Sequence, residues 1–393
     1  MKNNAILIML HCEQDTGYAI ASLERVFEKS ALAAGFNIED IYWSFSKVHK
    51  PGSNVFELKY DSIEDSHRFE KLHSEIRFTS ILAFDMPFPN RIAKKARCLG
   101  IHAVISYWGA SMSSINKGAK LFLKRLEWKI HERYAPIHFV FESQAMRETA
   151  TLGRGIPEKR TSVVPLGVDI ERFYPKDHDL YAHEQFNIPT NRKIIFYSGH
   201  MEERKGVRVL IEAMKNLESK KNLEPFHLLI CGNKGTESEV FKPLYEALSV
   251  KDHITFGGYR EDIPELMRSA FVGAIASTGW DSFTMSSVEM LASGLPLIVS
   301  ELQGLKETIE PGVTGQYIQP GNAEELAEKL TYYVSNPEIY ERHRKSARDR
   351  AISCFSKEKQ ITTLSDLIKS LLNQHSTVTE ASKRTQLSQA EVD

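Results

Sequence analysis

Residues 193–217 read KIIFYSGHMEERKGVRVLIEAMKNL, a short apolar run followed by a glycine-bounded turn and an amphipathic segment of helical length. Short apolar, β-rich runs alternate with such amphipathic segments along the chain. This alternation predicts parallel sheets with crossover helices. It occurs in two series, so the predicted fold class is α/β. We expect two Rossmann-like doubly wound parallel-sheet domains that face a cleft, with the ligand site between them.

A chain of 393 residues exceeds what one hydrophobic core usually supports, which also favours two domains. The predicted strands of the first series are 5–10, 38–43, 80–84, 103–106, 138–141 and 162–165. Those of the second series are 193–197, 227–231, 253–256, 272–276, 296–299 and 316–318. Polar sequence with prolines at about 175–192 is typical of a linker, so the predicted domains are 1–180 and 181–372. Residues 373–393 are rich in Ser, Thr and Gln, which predicts a disordered tail.

The composition excludes several classes of protein. Lys and Arg number 50 against 51 Asp and Glu, a formal charge of -1 that offers no general field for nucleic acid. The four cysteines are scattered, which argues against a disulfide framework or a structural zinc site and favours the reducing cytoplasm. The opening run 5–10 is too short to span a membrane and lacks the features of a signal peptide. We therefore predict a cytoplasmic protein whose membrane contact, if any, is peripheral.

The first motif is residues 198–206, SGHMEERKG, between a predicted strand and a predicted helix. Backbone N–H groups and the positive end of the helix would point out of the sheet there, which suits an anion such as a diphosphate. Arg204 and Lys205 add mobile positive charge. The alternative is that Gly199 and Gly206 only make a tight turn beside two solvated cations.

The second motif is residues 281–289, DSFTMSSVE, after the apolar run 272–276. Asp281 lies in a loop and Glu289 within the following helix, so the two carboxylates could bracket a ligand. The alternatives are an Asx turn or an N-terminal helix charge for Asp281, and a partly exposed helix residue for Glu289.

These two motifs, together with residues 163–175, VVPLGVDIERFYP, make the chain resemble the family-4 retaining glycosyltransferases of GT-B fold, the glycosyl transferases group 1. The resemblance extends from the first strand to about residue 372. It implies an enzyme of the hexosyltransferase class that moves a hexose-type sugar from a nucleotide-diphosphate sugar to an acceptor hydroxyl with retention. A role in glycan or polysaccharide biosynthesis is plausible through this resemblance. It further implies that 1–180 binds the acceptor and 181–372 the nucleotide sugar.

Residue by residue, the resemblance assigns Lys205 to the donor diphosphate, Asp281 to the donor sugar and Glu289 to the nucleotide ribose. These three are the predicted catalytic residues. Asp281 stands where the family usually has Glu, and His200 where it commonly has a phosphate-binding arginine. The predicted donor-binding residues are Gly199, His200, Arg204, Lys205, Ser282, Phe283, Thr284 and Glu289.

On the acceptor side, Gly17 resembles a family glycine at which backbone approaches the substrates closely. The family often places a histidine near the donor sugar in the region of Tyr107 and Trp108, and this chain has none there. We predict that these two aromatics line a divergent pocket. The alternative is core packing at the end of a strand.

The segment 115–133 carries six Lys or Arg residues against two Glu residues, interspersed with large apolar residues. A basic amphipathic helix can rest on an anionic membrane surface, and many members of the family use lipid-linked acceptors. The alternative is an ordinary domain helix with a solvated basic face.

The expected partners are a UDP- or GDP-linked sugar and a glycan, lipid-linked or small-molecule acceptor, without nucleic acid. No cofactor or metal is expected, because Asp177 and Asp179, the only Asp-x-Asp pair, lie in the predicted linker. The competing functions are a GT-B phosphorylase or epimerase and a non-catalytic nucleotide-sugar-binding module. A dehydrogenase is disfavoured because the first strand is not followed by GxGxxG.

Overall fold

The computed structural model describes residues 5–15, 17–60, 62–232, 235–246 and 248–390. At 18, 19 and 374–390 the description covers the backbone alone. The chain divides into two compact units. Unit 1 consists of Met1–Val164 together with Gln360–Asp393, and unit 2 of Pro165–Lys359.

Unit 1 contains a parallel sheet whose strands, in its described part, follow the order β3-β2-β1-β4-β5-β6-β7. The strands are β1 Ala5–Leu10, β2 Ile41–Phe45, β3 Val55–Glu57, β4 Phe78–Phe84, β5 Ala103–Trp108, β6 His138–Phe141 and β7 Thr161–Val163. The helices before residue 164 are α1 Tyr18–Ala34, α2 Ile63–Ile76, α3 Arg91–Cys98, α4 Gly118–His131 and α5 Gln144–Thr151. Every residue of β1 is buried, as expected for a central parallel strand covered on both faces.

Unit 2 contains a second parallel sheet, of order β10-β9-β8-β11-β12-β13 in the described residues. Its strands are β8 Lys193–Ser198, β9 Phe226–Cys231, β10 Ile254–Gly258, β11 Val272–Ile275, β12 Leu297–Ser300 and β13 Gly315–Ile318. Its helices are α6 Tyr181–Phe186, α7 Val207–Ser219, α8 Ile263–Arg268, α9 Met285–Ala292, α10 Ala323–Ser335 and α11 Pro337–Phe355. The prediction of two doubly wound parallel-sheet α/β domains is confirmed.

The strand order of each sheet reverses once. In unit 1 the chain runs outward from β1 to β3 and then returns to β4 on the other side of β1. In unit 2 it runs outward from β8 to β10 and returns to β11 on the other side of β8. Ligands of open α/β sheets bind outside the carboxyl ends of the strands at such a switch point. The segments that follow β1, β4, β8 and β11 are therefore the places to look for a site.

The boundary between the units lies at Val164 and Pro165, not near residue 180 as predicted. Residues after 165 belong to unit 2 because they bond to its helix α11. The backbone N–H of Val168 donates to the Phe355 carbonyl over 2.7 Å, and the Arg348 guanidinium donates to the Phe173 carbonyl over 2.7 Å. The predicted linker also contains helix α6.

The C-terminal segment also differs from expectation. Helix α12, Lys357–Ala390, leaves unit 2 and joins unit 1, where Leu364 and Ile368 are buried in the core that contains Tyr107. The predicted tail 373–393 continues this helix as far as Ala390, and 391–393 lie outside the described residues. The physical reason is that 357–390 contains neither Gly nor Pro, so nothing in it breaks a helix that has already begun.

Candidate active site

The segment after β8 lies at the switch point of unit 2 and packs closely against the end of β11. A 3₁₀ turn, Glu203–Lys205, leads into Gly206, which has a φ of 79° and is the N-cap residue of α7. A Cβ atom at Gly206 would lie 1.8 Å from the Ala276 carbonyl oxygen. The backbone N–H of Thr278 donates to the Arg204 carbonyl over 2.8 Å. A glycine is therefore required at 206 both for its backbone conformation and for this approach.

Two of the predicted catalytic residues meet at this point. Lys205 Nζ lies 2.7 Å from Asp281 Oδ1, and the Ser277 hydroxyl donates to Asp281 Oδ2 over 2.6 Å. The side chain of Lys205 is 16% exposed and that of Asp281 is 2% exposed. Both carboxylate oxygens of Asp281 thus have a partner in the protein. The arrangement holds the ammonium group of Lys205 in place at the carboxyl edge of the sheet.

Glu289, the third predicted catalytic residue, is buried within α9. The first residues of this helix have no side-chain cap, because the hydroxyl of Thr284 at the N-cap position does not accept from them. Thr284 Oγ1 is buried and has no hydrogen-bond partner among the described residues. The start of α9 therefore leaves polar groups for a ligand to satisfy.

The remaining predicted donor-binding residues differ in their surroundings. His200 is exposed, and its backbone carbonyl accepts a hydrogen bond from the Tyr197 hydroxyl over 2.6 Å. Arg204 is exposed and pairs with Glu202 over 2.7 Å. Gly199 is half-buried beside Gly232. A Cβ atom on Gly232 would lie 2.6 Å from the Gly199 carbonyl oxygen.

Ser282 and Phe283 follow Asp281 directly. Ser282 is half-buried, whereas the ring of Phe283 is buried in the core of unit 2. It makes an edge contact with Phe355 at a centroid distance of 5.2 Å. The predicted role of Phe283 in donor binding is therefore corrected to core packing, because a ring so enclosed presents no surface to a ligand.

The predicted acceptor-side residues lie in unit 1. Tyr107 is fully buried; its hydroxyl donates to the Val164 carbonyl over 3.1 Å and accepts from Gln360 Nε2 over 3.0 Å. The core-packing alternative therefore describes Tyr107, and its assignment to a pocket is corrected. Trp108 is half-buried, and its Nε1 has no hydrogen-bond partner among the described residues. Gly17 begins α1 with a φ of 99°, and no heavy atom lies within 4 Å of a Cβ placed there.

Sequence reasoning missed two carboxyl groups in unit 1, the half-buried Asp85 and the buried Glu142. Asp85 follows β4 and Glu142 follows β6, each as the first residue after the strand. Burial raises the pKa of Asp85 to about 6, against a bond from the Gly109 N–H that favours the ionised form. Burial, and then the charge of Asp85, raise the pKa of Glu142 well above its usual range. The sequence feature that could have revealed both residues is an acidic residue directly after an apolar strand.

Helix α4 carries most of the basic segment 115–133. Of its side chains only that of Trp128 is buried, within the described residues. Large apolar side chains are exposed along the rest of the segment, and Phe122 is 67% exposed. We call the following set the apolar face of α4: Phe122, Leu123, Leu126 and Ile130; Ile115 is exposed in the segment before the helix. An ordinary domain helix would bury such residues, so the alternative of a merely solvated basic face does not account for them.

The pair Asp177 and Asp179 is engaged by cations. Asp177 lies 2.7 Å from Arg344, and Asp179 lies 3.1 Å from Lys176. Within the described ranges, His, Cys, Asp and Glu side chains form no group of three or more that could hold a metal ion. None of the described helices combines the length and the apolar character that crossing a bilayer requires.

Residues 181–350 match the family model described as glycosyl transferases group 1. These residues form a glycosyl transferases group 1 domain. The mannosylfructose-phosphate synthase of Agrobacterium fabrum is 25% identical over 209 residues, which cover 51% of this chain and 46% of that protein. A D-inositol 3-phosphate glycosyltransferase of Corynebacterium urealyticum is 28% identical over 185 residues, 45% of this chain and 43% of that protein. The chain thus spans about half the length of the curated relatives it matches.

Solved structures extend the likeness to the whole fold. A glycosyltransferase from Rickettsia africae has a TM-score of 0.78 at 19% identity and covers 94% of this chain and 99% of its own. The Anabaena protein HepE in complex with UDP has a TM-score of 0.71 at 18% identity, with 94% and 100% covered. The predicted GT-B fold class is confirmed. The group 1 domain and the relatives named as glycosyltransferases support the prediction of a transferase enzyme.

Proposed function

We propose that the protein is a family-4 retaining glycosyltransferase that moves a hexose-type sugar from a nucleotide-diphosphate sugar to an acceptor hydroxyl, in glycan or polysaccharide biosynthesis. The observation that carries this proposal is the ion pair between the half-buried Lys205 and the buried Asp281 at the switch point of a group 1 domain. Structures of the same fold, those of HepE, contain UDP and UDP-glucose, which favours a nucleotide sugar as the donor.

In this proposal Lys205 binds the diphosphate of the donor. Helix α7 begins beside it without a side-chain cap and without an acidic residue in its first turn. Its N–H groups and its positive end therefore add to the charge of Lys205. Negative charge develops on the diphosphate as the sugar leaves, and donors that are already in place stabilise it without reorganisation. Asp281 and Ser277 supply that fixed geometry.

The transfer itself needs no nucleophile from the protein. The bond between the sugar C1 and the diphosphate oxygen breaks, and a bond from C1 to the acceptor oxygen forms on the same face. The proton of the acceptor hydroxyl passes to the departing diphosphate. Glu289 on α9 binds the ribose of the nucleotide, and His200 stands near the phosphates without the permanent charge of an arginine.

We further propose that the acceptor is reached at an anionic membrane surface through the apolar face of α4. The face is bordered by exposed cations, namely Lys117, Lys120, Arg125, Lys129 and Arg133. Phe122, Leu126 and Ile130 recur every four residues, so they lie on one side of the helix. Apolar side chains that enter the lipid interface beside cations that meet its headgroups are the pattern of an interfacial helix.

The proposed activity is tested by thermal-shift measurements with UDP, GDP and ADP, followed by product analysis with the corresponding sugars. A nucleotide that binds the native state raises the melting temperature. Product NMR with and without acceptor then separates transfer from phosphorolysis and epimerisation. An α-linked product from an α-linked donor is expected. A protein that binds the nucleotide sugar and never releases nucleotide in the presence of acceptors would be the non-catalytic module.

A further inference from the structure

Two carboxyl groups lie at the carboxyl edge of the unit 1 sheet, on either side of one glycine. Asp85 follows β4 and Glu142 follows β6, while the strand between them, β5, ends at Trp108 and Gly109. The Gly109 N–H donates to Asp85 Oδ1 over 2.9 Å. A Cβ atom at Gly109 would lie 3.5 Å from Glu142 Oε1. The two side chains thus flank the Gly109 backbone.

The Glu142 carboxyl group has no donor in the part of the chain that the structure describes. Glu142 is 6% exposed, and no N–H or O–H group of the described residues donates to its side chain. Neither it nor Asp85 forms an ion pair with a cation in the described part of the chain. The oxygens of this carboxyl group are therefore open to donors from solvent or from a ligand.

The neighbouring hydroxyl groups are already in use. The Tyr60 hydroxyl donates to the Met9 and Phe84 carbonyls, over 2.9 Å and 2.7 Å. The Tyr107 hydroxyl donates to the Val164 carbonyl. Burial raises the pKa of both phenols; the charge of Asp85 raises that of Tyr60 further, and the charges of Glu142 and Asp85 raise that of Tyr107. Neither phenol therefore supplies the donor that Glu142 lacks, and its carboxyl group can accept from a ligand.

The position agrees with a ligand site. Asp85 follows β4, one of the two strands at the switch point of the unit 1 sheet, and α1 begins after the other without a side-chain cap. Carboxyl groups at this edge are well suited to the hydroxyls of a sugar, since adjacent hydroxyls donate to carboxylate oxygens and accept from a protonated carboxyl group.

We propose that Asp85 and Glu142 bind hydroxyl groups of the acceptor, a neutral polyhydroxylated molecule such as a hexoside or a cyclitol, and set the specificity for it. That the ligand is the acceptor rests on the proposed function. That a binding site exists rests on the geometry of unit 1 alone. Burial raises the pKa of both groups, which disfavours their ionised forms and so favours a neutral hydroxyl ligand over an ammonium group.

The test measures binding without any donor. Saturation-transfer NMR of the full chain is recorded with the methyl glycosides of glucose, galactose and mannose, with myo-inositol, and with methyl glucosaminide as the ammonium probe. The variants are Asp85→Asn, which keeps an oxygen for the Gly109 N–H, and Glu142→Gln, which keeps the shape. Glu75→Gln, on the exposed side of α2, is the matched control.

We expect at least one neutral probe to bind the wild type, and its affinity to fall about 10-fold or more in Asp85→Asn and Glu142→Gln. Glu75→Gln binds like the wild type, and UDP or GDP binding is unchanged in every variant. Melting temperatures of the two variants equal or exceed that of the wild type, because each removes a buried group that ionises at a cost. A structural role alone would lower the melting temperature and leave the probe affinities equal.

Three results would overturn the inference: no neutral probe binds the wild type, only methyl glucosaminide binds it, or folded variants bind with wild-type affinity. The failure of the proposed function has a different signature. In that case the probes bind the wild type and bind both carboxyl variants more weakly, but no nucleotide sugar supports transfer. The binding site of Asp85 and Glu142 then stands, and the proposed glycosyltransferase activity is rejected.

Discussion

Lys205 and Asp281 are 76 residues apart in sequence and form an ion pair, with 2.7 Å between Nζ and Oδ1 of the buried carboxylate. The first residue follows β8 and the second follows β11, the two strands between which the unit 2 sheet reverses its order. In the described part of this sheet, β8 and β11 are the two neighbouring strands at the switch point. The pair therefore links the segments that follow these two strands. In the proposed mechanism Asp281, in spite of its short side chain, acts by holding Lys205 in place.

The first prediction concerns catalysis by Lys205. Lys205→Ala should lower kcat for sugar transfer about 10²–10³-fold, because one donor already in place at the developing charge is lost. Lys251→Ala, at an exposed lysine of the same unit, should leave kcat unchanged. Initial rates of nucleotide release with saturating acceptor measure the effect. A folded Lys205→Ala protein with wild-type kcat would contradict the assignment.

The second prediction concerns the energetics of the same pair. Lys205→Ala leaves Asp281 buried without its cation and should destabilise unit 2 by about 3 kcal/mol. The double variant with Asp281→Asn should lose less than the sum of the single effects, with a coupling of about 1–3 kcal/mol in urea unfolding. The exposed pair of Lys220 and Glu324 is the control, and its coupling should stay below about 1 kcal/mol. Equal coupling in both pairs would count against a buried, fixed ammonium group.

The third prediction separates two demands on a glycine. Gly206 and Gly312 have φ values of 79° and 75°, but only Gly206 would bring a Cβ into collision, at 1.8 Å from the Ala276 carbonyl oxygen. Gly312→Ala should cost about 1–2 kcal/mol for the left-handed backbone alone. Gly206→Ala should cost more than this and also abolish nucleotide binding, as followed by thermal shift. Similar melting temperatures for the two variants would show that the segment after β8 is free to move.

The fourth prediction concerns the apolar face of α4. The double variant Phe122→Ser with Ile130→Ser should reduce binding to vesicles that contain anionic lipid by at least about 10-fold, because each serine removes apolar area that the interface would bury. Ile352→Ser, which replaces an exposed isoleucine on α11, should not change it. Vesicle sedimentation at low and high salt measures both. Equal vesicle binding by the wild type, the double variant and Ile352→Ser would show that the apolar face of α4 does not bind lipid.

The fifth prediction concerns the stability of unit 2 in acid. Burial, and then the charge of Arg192, lower the pKa of His227 from 6.5 to about 3. His227 is therefore protonated near pH 6.5 in the unfolded chain but only near pH 3 in the folded chain. The free energy of unfolding consequently falls as the pH is lowered through this window. The loss amounts to about 4 kcal/mol at its end.

His227→Gln should remove this part of the pH dependence, and its free energy of unfolding should fall less than that of the wild type between pH 7 and pH 4. Urea titrations at each pH provide the comparison. The exposed His67→Gln is the control and should follow the wild type. Parallel pH profiles for wild type and His227→Gln would mean that this histidine does not resist protonation in the folded state.

Several features could be predicted from local sequence because they depend on local chemistry. The run Ala5–Leu10 is apolar at every position, and all six residues are buried, since a central parallel strand is covered on both faces. The strand that ends at Ser198 and the helix that begins at Val207 were evident from hydrophobic periodicity in the same way. Lys205, Asp281 and Glu289 were recognised through their motifs.

Other features depend on contacts that sequence spacing does not reveal. The unit boundary follows from the bond between Val168 and Phe355, residues nearly the length of a domain apart. Tyr107 looked like a pocket residue at a strand end, and only its bonds to Val164 and Gln360 show that it belongs to the core. The helix beyond residue 373 was missed because composition was weighed above the lack of any helix breaker.

By itself the sequence determined the two α/β domains, because periodicity and turn residues act over a few positions along the chain, and its motifs named the residues that we propose carry the donor chemistry. Only the tertiary structure decided that Lys205 is held by Asp281, that Asp85 and Glu142 lie on either side of Gly109, and that the face of α4 is left uncovered. Each of these depends on which strand ends or side chains become neighbours. That outcome is set by the order of strands in the sheets and by the competition of all apolar surfaces for burial.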